Sequence, residues 1–126
     1  MYVNVKVTGI KELQKYMQRN QEQMRNRLPL TVKDTTLYLF NRIKESIAHG
    51  DNAPIAVDTG RFLNSVDFSK TGENSSSIFT DLEYAKFLEF GTSKMNARPH
   101  FRNTVFVNEK QIIEMFDREI KIIIDT

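Results

Sequence analysis

The sequence predicts an α+β fold: a single compact domain in which a long N-terminal helical region and a C-terminal helix pack on a small antiparallel sheet. Three observations lead there. Apolar residues alternate with polar ones at the N-terminus and again on both sides of a polar stretch around Gly72, the period of half-buried strands. On either side of that region they recur at three- and four-residue spacing, the period of helices. The chain has 126 residues, 40% apolar and 27% charged, enough for one core and too short for two ordinary domains.

Taken in order, Val3, Val5 and Val7 alternate with Tyr2, Asn4 and Lys6, which predicts a strand; at a chain terminus it is readily an edge. Thr8-Gly9 ends it. Ile10, Leu13 and Met17 then share a helical face, with Thr8 placed to cap because its hydroxyl can accept an unpaired amide. Leu39, Ile43 and Ile47 continue the rhythm. Pro29 lies between the two sets, lacks an amide and disfavours helical geometry at Leu28, so two helices or one kinked helix are expected over residues 9–49. Gly50 supplies the stop.

Asp51-Asn52-Ala53-Pro54 reads as a surface turn. Asp58 then fits an N-cap whose carboxylate accepts from the amides of Gly60 or Arg61, with Val57 and Phe62 flanking as a hydrophobic staple. Residues 65–69 and 76–82 alternate as two strands, and the polar Lys70–Asn74 stretch is their hairpin connection. Tyr84, Phe87 and Leu88 are spaced to share one face of a short helix, which a left-handed Gly91 closes. Thr92 to Arg98 carry no periodicity, and Pro99 holds Arg98 extended. From Phe101 onward Val105, Ile112, Phe116, Ile120 and Ile123 predict a long helix, with a break near Asn108, which is spaced with Gln111 as a capping box.

Composition narrows the function. No apolar run approaches the roughly 20 residues of a membrane span, and the start lacks the basic and apolar regions of a signal peptide, so synthesis in the cytosol is expected. Without cysteine there are no disulfides, thiol nucleophiles or thiolate metal sites. Net charge is +2, but residues 1–50 carry nine Lys/Arg against four Asp/Glu, a balance of +5, while residues 51–126 carry nine against twelve, a balance of −3. Charges on long helices ordinarily form a solvated face; the same asymmetry would also let subunits stack on complementary neighbours or turn a basic side toward DNA.

Several chemistries can be weighed on the residues. Asp58-Thr59-Gly60 resembles the catalytic triplet of retroviral-type aspartic proteases. Here Arg61 follows, setting a permanent positive charge beside a carboxylate that would have to share a proton, and Glu89-Phe90 precedes Gly91 where those enzymes carry an apolar pair. His49, Asp51 and His100 lack metal-ligand spacing. Glu114 and Asp117 fall on the exposed side of the last helix, away from any site for acid–base work. Lys11, Lys15, Arg19, Arg25 and Arg27 form a basic helical stretch interrupted by Glu12 and Glu22, with Tyr16 as its aromatic. That stretch makes a small DNA-binding regulatory protein the best rival to a structural role, with the aspartic protease a remote one.

Two islands stand out: Val57-Asp58-Thr59-Gly60-Arg61-Phe62-Leu63-Asn64-Ser65-Val66, and Tyr84-Ala85-Lys86-Phe87-Leu88-Glu89-Phe90-Gly91-Thr92-Ser93-Lys94-Met95-Asn96-Ala97-Arg98-Pro99. Together, over roughly residues 55–102, they resemble the tailed-bacteriophage tail-component or neck protein family, whose members join head to tail or complete the tail. The chain departs from that pattern in two places. Ile55-Ala56 separates Pro54 from the first island, and His100-Phe101-Arg102-Asn103 stands where the family tends to have a phenylalanine, an apolar residue and a second arginine-proline.

The resemblance implies a non-enzymatic virion assembly protein at the head–tail junction. It would work as a homo-oligomeric ring beside other phage neck and tail proteins, with non-specific DNA contact in the lumen. It also implies synthesis in a bacterial host's cytoplasm, incorporation into the virion, and no cofactor, metal, membrane or small-molecule substrate. Asp58, Thr59, Gly60, Arg61, Tyr84, Glu89 and Gly91 are then read as structural, with Arg61 paired to Glu89 across the islands. Thr92, Ser93, Lys94, Met95, Asn96, Ala97, Arg98 and Pro99 are read as a loop that leaves its own domain to touch a neighbouring subunit or ring.

Overall fold

A three-stranded antiparallel sheet lies against two long helices in the computed structural model, which describes residues 1–9, 21–55 and 59–125. The elements are β1 (Tyr2–Lys6), α1 (Gln21–His49), α2 (Thr59–Ser65), β2 (Val66–Gly72), β3 (Ser75–Thr80), α3 (Ala85–Phe90) and α4 (His100–Asp125). This is the predicted α+β arrangement. The expected helix through Ile10, Leu13 and Met17, the Asp58 cap, and basic residues Lys11, Lys15 and Arg19 lie outside the described residues.

The sheet order is β1-β3-β2, so the N-terminal strand sits at an edge as its position predicted. Val3 faces Ile78 and Val5 faces Ser76, while Phe68 faces Ile78 from the other side. These residues share one pleat and turn toward the helices, because side chains two apart on a strand point the same way. The hairpin is tighter than the sequence predicted. β2 continues through Lys70 to Gly72, which pairs with Ser75 after a register shift, so only Glu73 and Asn74 form the turn.

α1 runs unbroken through Pro29. A proline costs a helix one amide bond, but burial of Met24, Leu28, Val32, Leu39, Ile43 and Ile47 along one face outweighs that loss. Gly50, at φ +72°, then donates its amide to the Ser46 carbonyl and closes the helix. The main core joins α1 to Val5, Val66, Ile78, Phe62, Ala85, Leu88 and Phe101. A smaller cluster of Met24, Leu28 and Ile123 holds the start of α1 against the end of α4.

α4 is likewise continuous where a break at Asn108 was expected. Instead of capping a new helix, Asn108 donates to the Thr104 carbonyl one turn back and accepts from the Tyr38 hydroxyl at 2.9 Å, which clamps α4 to α1 from mid-helix. Glu114 and Asp117 are exposed, as their spacing implied. Among the described residues no helix is long and apolar enough to cross a membrane.

Candidate functional site

The described residues of both islands converge on the corner where α2, α3 and the start of α4 meet. α2 begins at Thr59; Gly60 and Arg61 are exposed on it, while Phe62 is buried and stacks on Phe101, with centroids 6.4 Å apart and rings nearly parallel. The Arg61 guanidinium lies 5.9 Å from the Tyr84 ring centroid, so it joins the islands through an aromatic face. The expected Arg61–Glu89 pair does not form. Glu89 is turned inward, 1% exposed, with its carboxylate on the start of α4, while the Arg61 guanidinium lies over Tyr84.

Glu89 instead caps α4. Its Oε1 accepts from the Phe101 amide at 3.0 Å, and its Oε2 accepts from the Arg102 amide at 2.9 Å and from Arg102 Nε at 3.1 Å. Arg102 Nη2 returns to the Glu89 carbonyl at 2.6 Å. The first amides of a helix have no partner within it, and a negative charge there also meets the positive end of the helix dipole. Pro99 has no amide to satisfy, its carbonyl accepts from Asn103, and the His100 amide goes to the Arg98 carbonyl. A buried carboxylate is thus fully hydrogen-bonded by the element it terminates.

The short helix exposes more than its spacing predicted. Ala85, Leu88 and Glu89 are buried and Tyr84 is half-buried, but Phe87 is 46% and Phe90 62% exposed. Arg102 covers the Phe90 ring at 5.0 Å and Lys86 the Phe87 ring at 5.2 Å. Gly91 closes α3 at φ 75°, ψ 177°, which is not the left-handed helical conformation expected but a region essentially reserved for glycine.

The loop after Gly91 folds back on its own domain rather than leaving it. Thr92 and Met95 exchange backbone hydrogen bonds, the Lys94 amide donates to Thr92 Oγ1, and the Arg98 amide donates to the Leu88 carbonyl. Met95 packs against the core and receives Arg98 Nη1 at its sulfur. Ala97, Arg98 and Pro99 are half-buried, which leaves Thr92, Ser93, Lys94 and Asn96 as the exposed surface of the loop.

Beside this corner runs a buried polar chain that the sequence reading passed over. His100 is fully buried; its Nδ1 lies 2.7 Å from Ser46 Oγ and its Nε2 3.0 Å from the Pro54 carbonyl. Burial pushes the imidazole below its ordinary value near 6.5, against the opposing pull of the Pro54 carbonyl and of Glu89, while Arg98 adds to the lowering. The turn at 51–54 is docked rather than free. Asn52 donates to Ser46 Oγ through its amide and to Thr104 Oγ1 through Nδ2, and it accepts from Asn103 Nδ2 at its carbonyl.

Glu89 and His100 have their polar atoms engaged with backbone or hydroxyl partners, and no group of three His, Cys, Asp or Glu able to hold a metal ion occurs among the described residues. His49 is exposed, at the end of α1. Comparison with family models, curated proteins and solved structures returned no match.

Proposed function

We propose that this chain is a structural assembly protein of a long-tailed bacterial virus or prophage, a neck or tail-completion subunit that works as a ring at the head–tail junction without making or breaking bonds. The reading rests on the two motif islands, and one observation carries it further. Residues 84–99 serve to fix the α3–α4 corner, through the Glu89 cap, the Gly91 turn and the Arg98 tie to Leu88, while Phe87, Phe90 and Phe106 stay exposed around it. A rigid frame with apolar side chains on its outside suits docking to other subunits.

The rival DNA-binding regulator rests on a basic stretch of which Arg25 and Arg27 are described: Arg25 is exposed, and Arg27 is paired with Glu119. The test is genetic. Disrupting the gene in its virus or prophage should leave filled heads and separate tails that the purified protein rejoins. Normal infectious particles made without it would overturn the reading, as would peptide cleavage lost in Asp58→Asn.

A further inference from the structure

We propose that a second copy of this chain pairs with β1 along its free edge, antiparallel and about a two-fold axis at Asn4, so that two three-stranded sheets become one. This goes beyond the ring reading and does not depend on it. The Val7 amide donates to the Asn74 carbonyl and the Met1 carbonyl accepts from the Thr80 amide, so the odd-numbered residues of this segment turn their backbone toward β3 and its flanks. Antiparallel strands alternate in this respect, and the backbone groups of Tyr2, Asn4 and Lys6 therefore point outward. Among the described residues no strand pairs with that side.

The two edges of the sheet are built differently. On β2 the Phe68 amide is taken by the Asp67 carboxylate and the register shifts between Lys70 and Gly72, two devices that blunt an edge against further pairing. β1 has neither a proline nor a register shift, and Lys6 is its one charge. An edge left open in this way is a template for another strand.

The sequence of this segment is its own complement. Paired about Asn4, Val3 of one copy faces Val5 of the other and Met1 faces Val7, all on the pleat that turns toward the helices. Met1, Val3 and Val7 are only partly buried where they pack on the core, and the pairing covers them. On the opposite face Asn4 meets its own copy, and Tyr2, 66% exposed, meets Lys6, an aromatic ring beside an ammonium group. Sliding the pair by one residue would set valines against the polar face, and sliding it by two would shorten the overlap. The charge is also kept from its own kind. Lys6 and its equivalent lie four residues apart along the pair, about 13 Å, beyond the roughly 8 Å screening length at physiological salt.

The test is sedimentation velocity on the full chain, which should show association through this edge that reverses on dilution, with amide exchange at Asn4 and Lys6 slowing as concentration rises. Asn4→Pro removes an amide that faces away from β3, a place where an edge strand tolerates proline. The variant should still melt as a folded chain while association weakens about tenfold or more, since both copies lose a bond at the axis. The natural chain has no cysteine. Asn4→Cys should therefore cross-link to itself on oxidation, because directly opposed residues of a hydrogen-bonded pair stand about 5.5 Å apart between Cα atoms, within disulfide reach. Tyr2→Cys and Lys6→Cys should cross-link when mixed and not alone, which reads the register whether or not Asn4→Pro folds. A chain that stays monomeric and gives no cross-link through Asn4→Cys would overturn the proposal. Assemblies that persist in Asn4→Pro, with no such cross-link, would overturn it as well and leave the ring reading standing.

Discussion

Ser46 Oγ lies 2.7 Å from Nδ1 of His100, joining the last turn of α1 to the first residue of α4 where neither side chain meets solvent. The proton positions follow from the partners. A carbonyl only accepts, so Nε2 must carry the hydrogen that reaches the Pro54 oxygen, and Nδ1 of the neutral ring accepts from the Ser46 hydroxyl, which in turn accepts from the Asn52 amide.

That arrangement makes stability depend on pH. The native ring sits below the ordinary 6.5 because it is buried, and the unfolded ring does not. The unfolded state therefore binds more protons as acidity rises. This contribution is complete above about pH 6.5 and is lost as pH falls from there toward the lower native value. Urea midpoints measured from about pH 5 to pH 8 should rise with pH, and His100→Gln should remove this part of the slope while lowering stability throughout. A slope unchanged by the substitution would exclude the histidine as its source.

Glu89 and Arg102 should prove unequal partners. Glu89→Ala strips two helix-start amides, one buried and one partly buried, of their acceptor and should cost about 2–4 kcal/mol. The Arg102 side chain is 55% exposed, so Arg102→Ala loses a solvent-screened pair and a contact over Phe90, about 1 kcal/mol. A double-mutant cycle between these two should show coupling of roughly 0.5–3 kcal/mol, and one between Arg61 and Glu89 none beyond error.

Two glycines of the islands should respond with opposite signs. A Cβ on Gly91 would stand 2.9 Å from the Ala97 nitrogen and 3.0 Å from the Met95 oxygen, both backbone atoms that cannot swing aside. Together with its positive φ, this should make Gly91→Ala cost about 2–4 kcal/mol. A Cβ on Gly60 meets nothing within 4 Å, and Gly60→Ala should stabilise α2 by about 0.5–1 kcal/mol. Chemical denaturation of both variants decides the point.

The mid-helix clamp can be isolated with Tyr38→Phe. It removes only the hydroxyl that Asn108 Oδ1 receives, so it should cost about 0.5–1.5 kcal/mol in the natural chain. The same change in an Asn108→Ala background should cost close to nothing. An equal cost in both backgrounds would mean that the hydroxyl acts through another partner.

In the loop, fold and contact should separate. Met95→Ala removes a side chain packed on the core and should lower the melting temperature. Lys94→Glu changes an exposed position and should leave stability within about 0.5 kcal/mol. If the exposed part of the loop meets a neighbouring subunit, Lys94→Glu should weaken assembly without touching folding; unchanged assembly would remove that role.

The sequence by itself determined the α+β class, the edge position of the first strand, the hairpin, and the apolar faces of both long helices. Each of these depends on a period that local side chains carry: Val3 and Val5 need only alternate, and Leu39, Ile43 and Ile47 need only recur every fourth residue, for one face to be buried. Breaks were misjudged because local preference and packing disagreed. Pro29 left two helices or one kinked helix open and Asn108 read as a break, yet burial along α1 and the Tyr38 bond from the facing helix hold both helices continuous. Only the tertiary structure decided the partners at the corner. Glu89 was identified as structural from its motif, but whether its carboxylate met Arg61 or the start of α4 depended on the direction in which α3 turned, which no spacing encodes. The buried Ser46–His100–Pro54 chain was hidden for the same reason: its members lie 46 or more residues from His100 in sequence, and only the antiparallel packing of α1 against α4 brings them within a hydrogen bond.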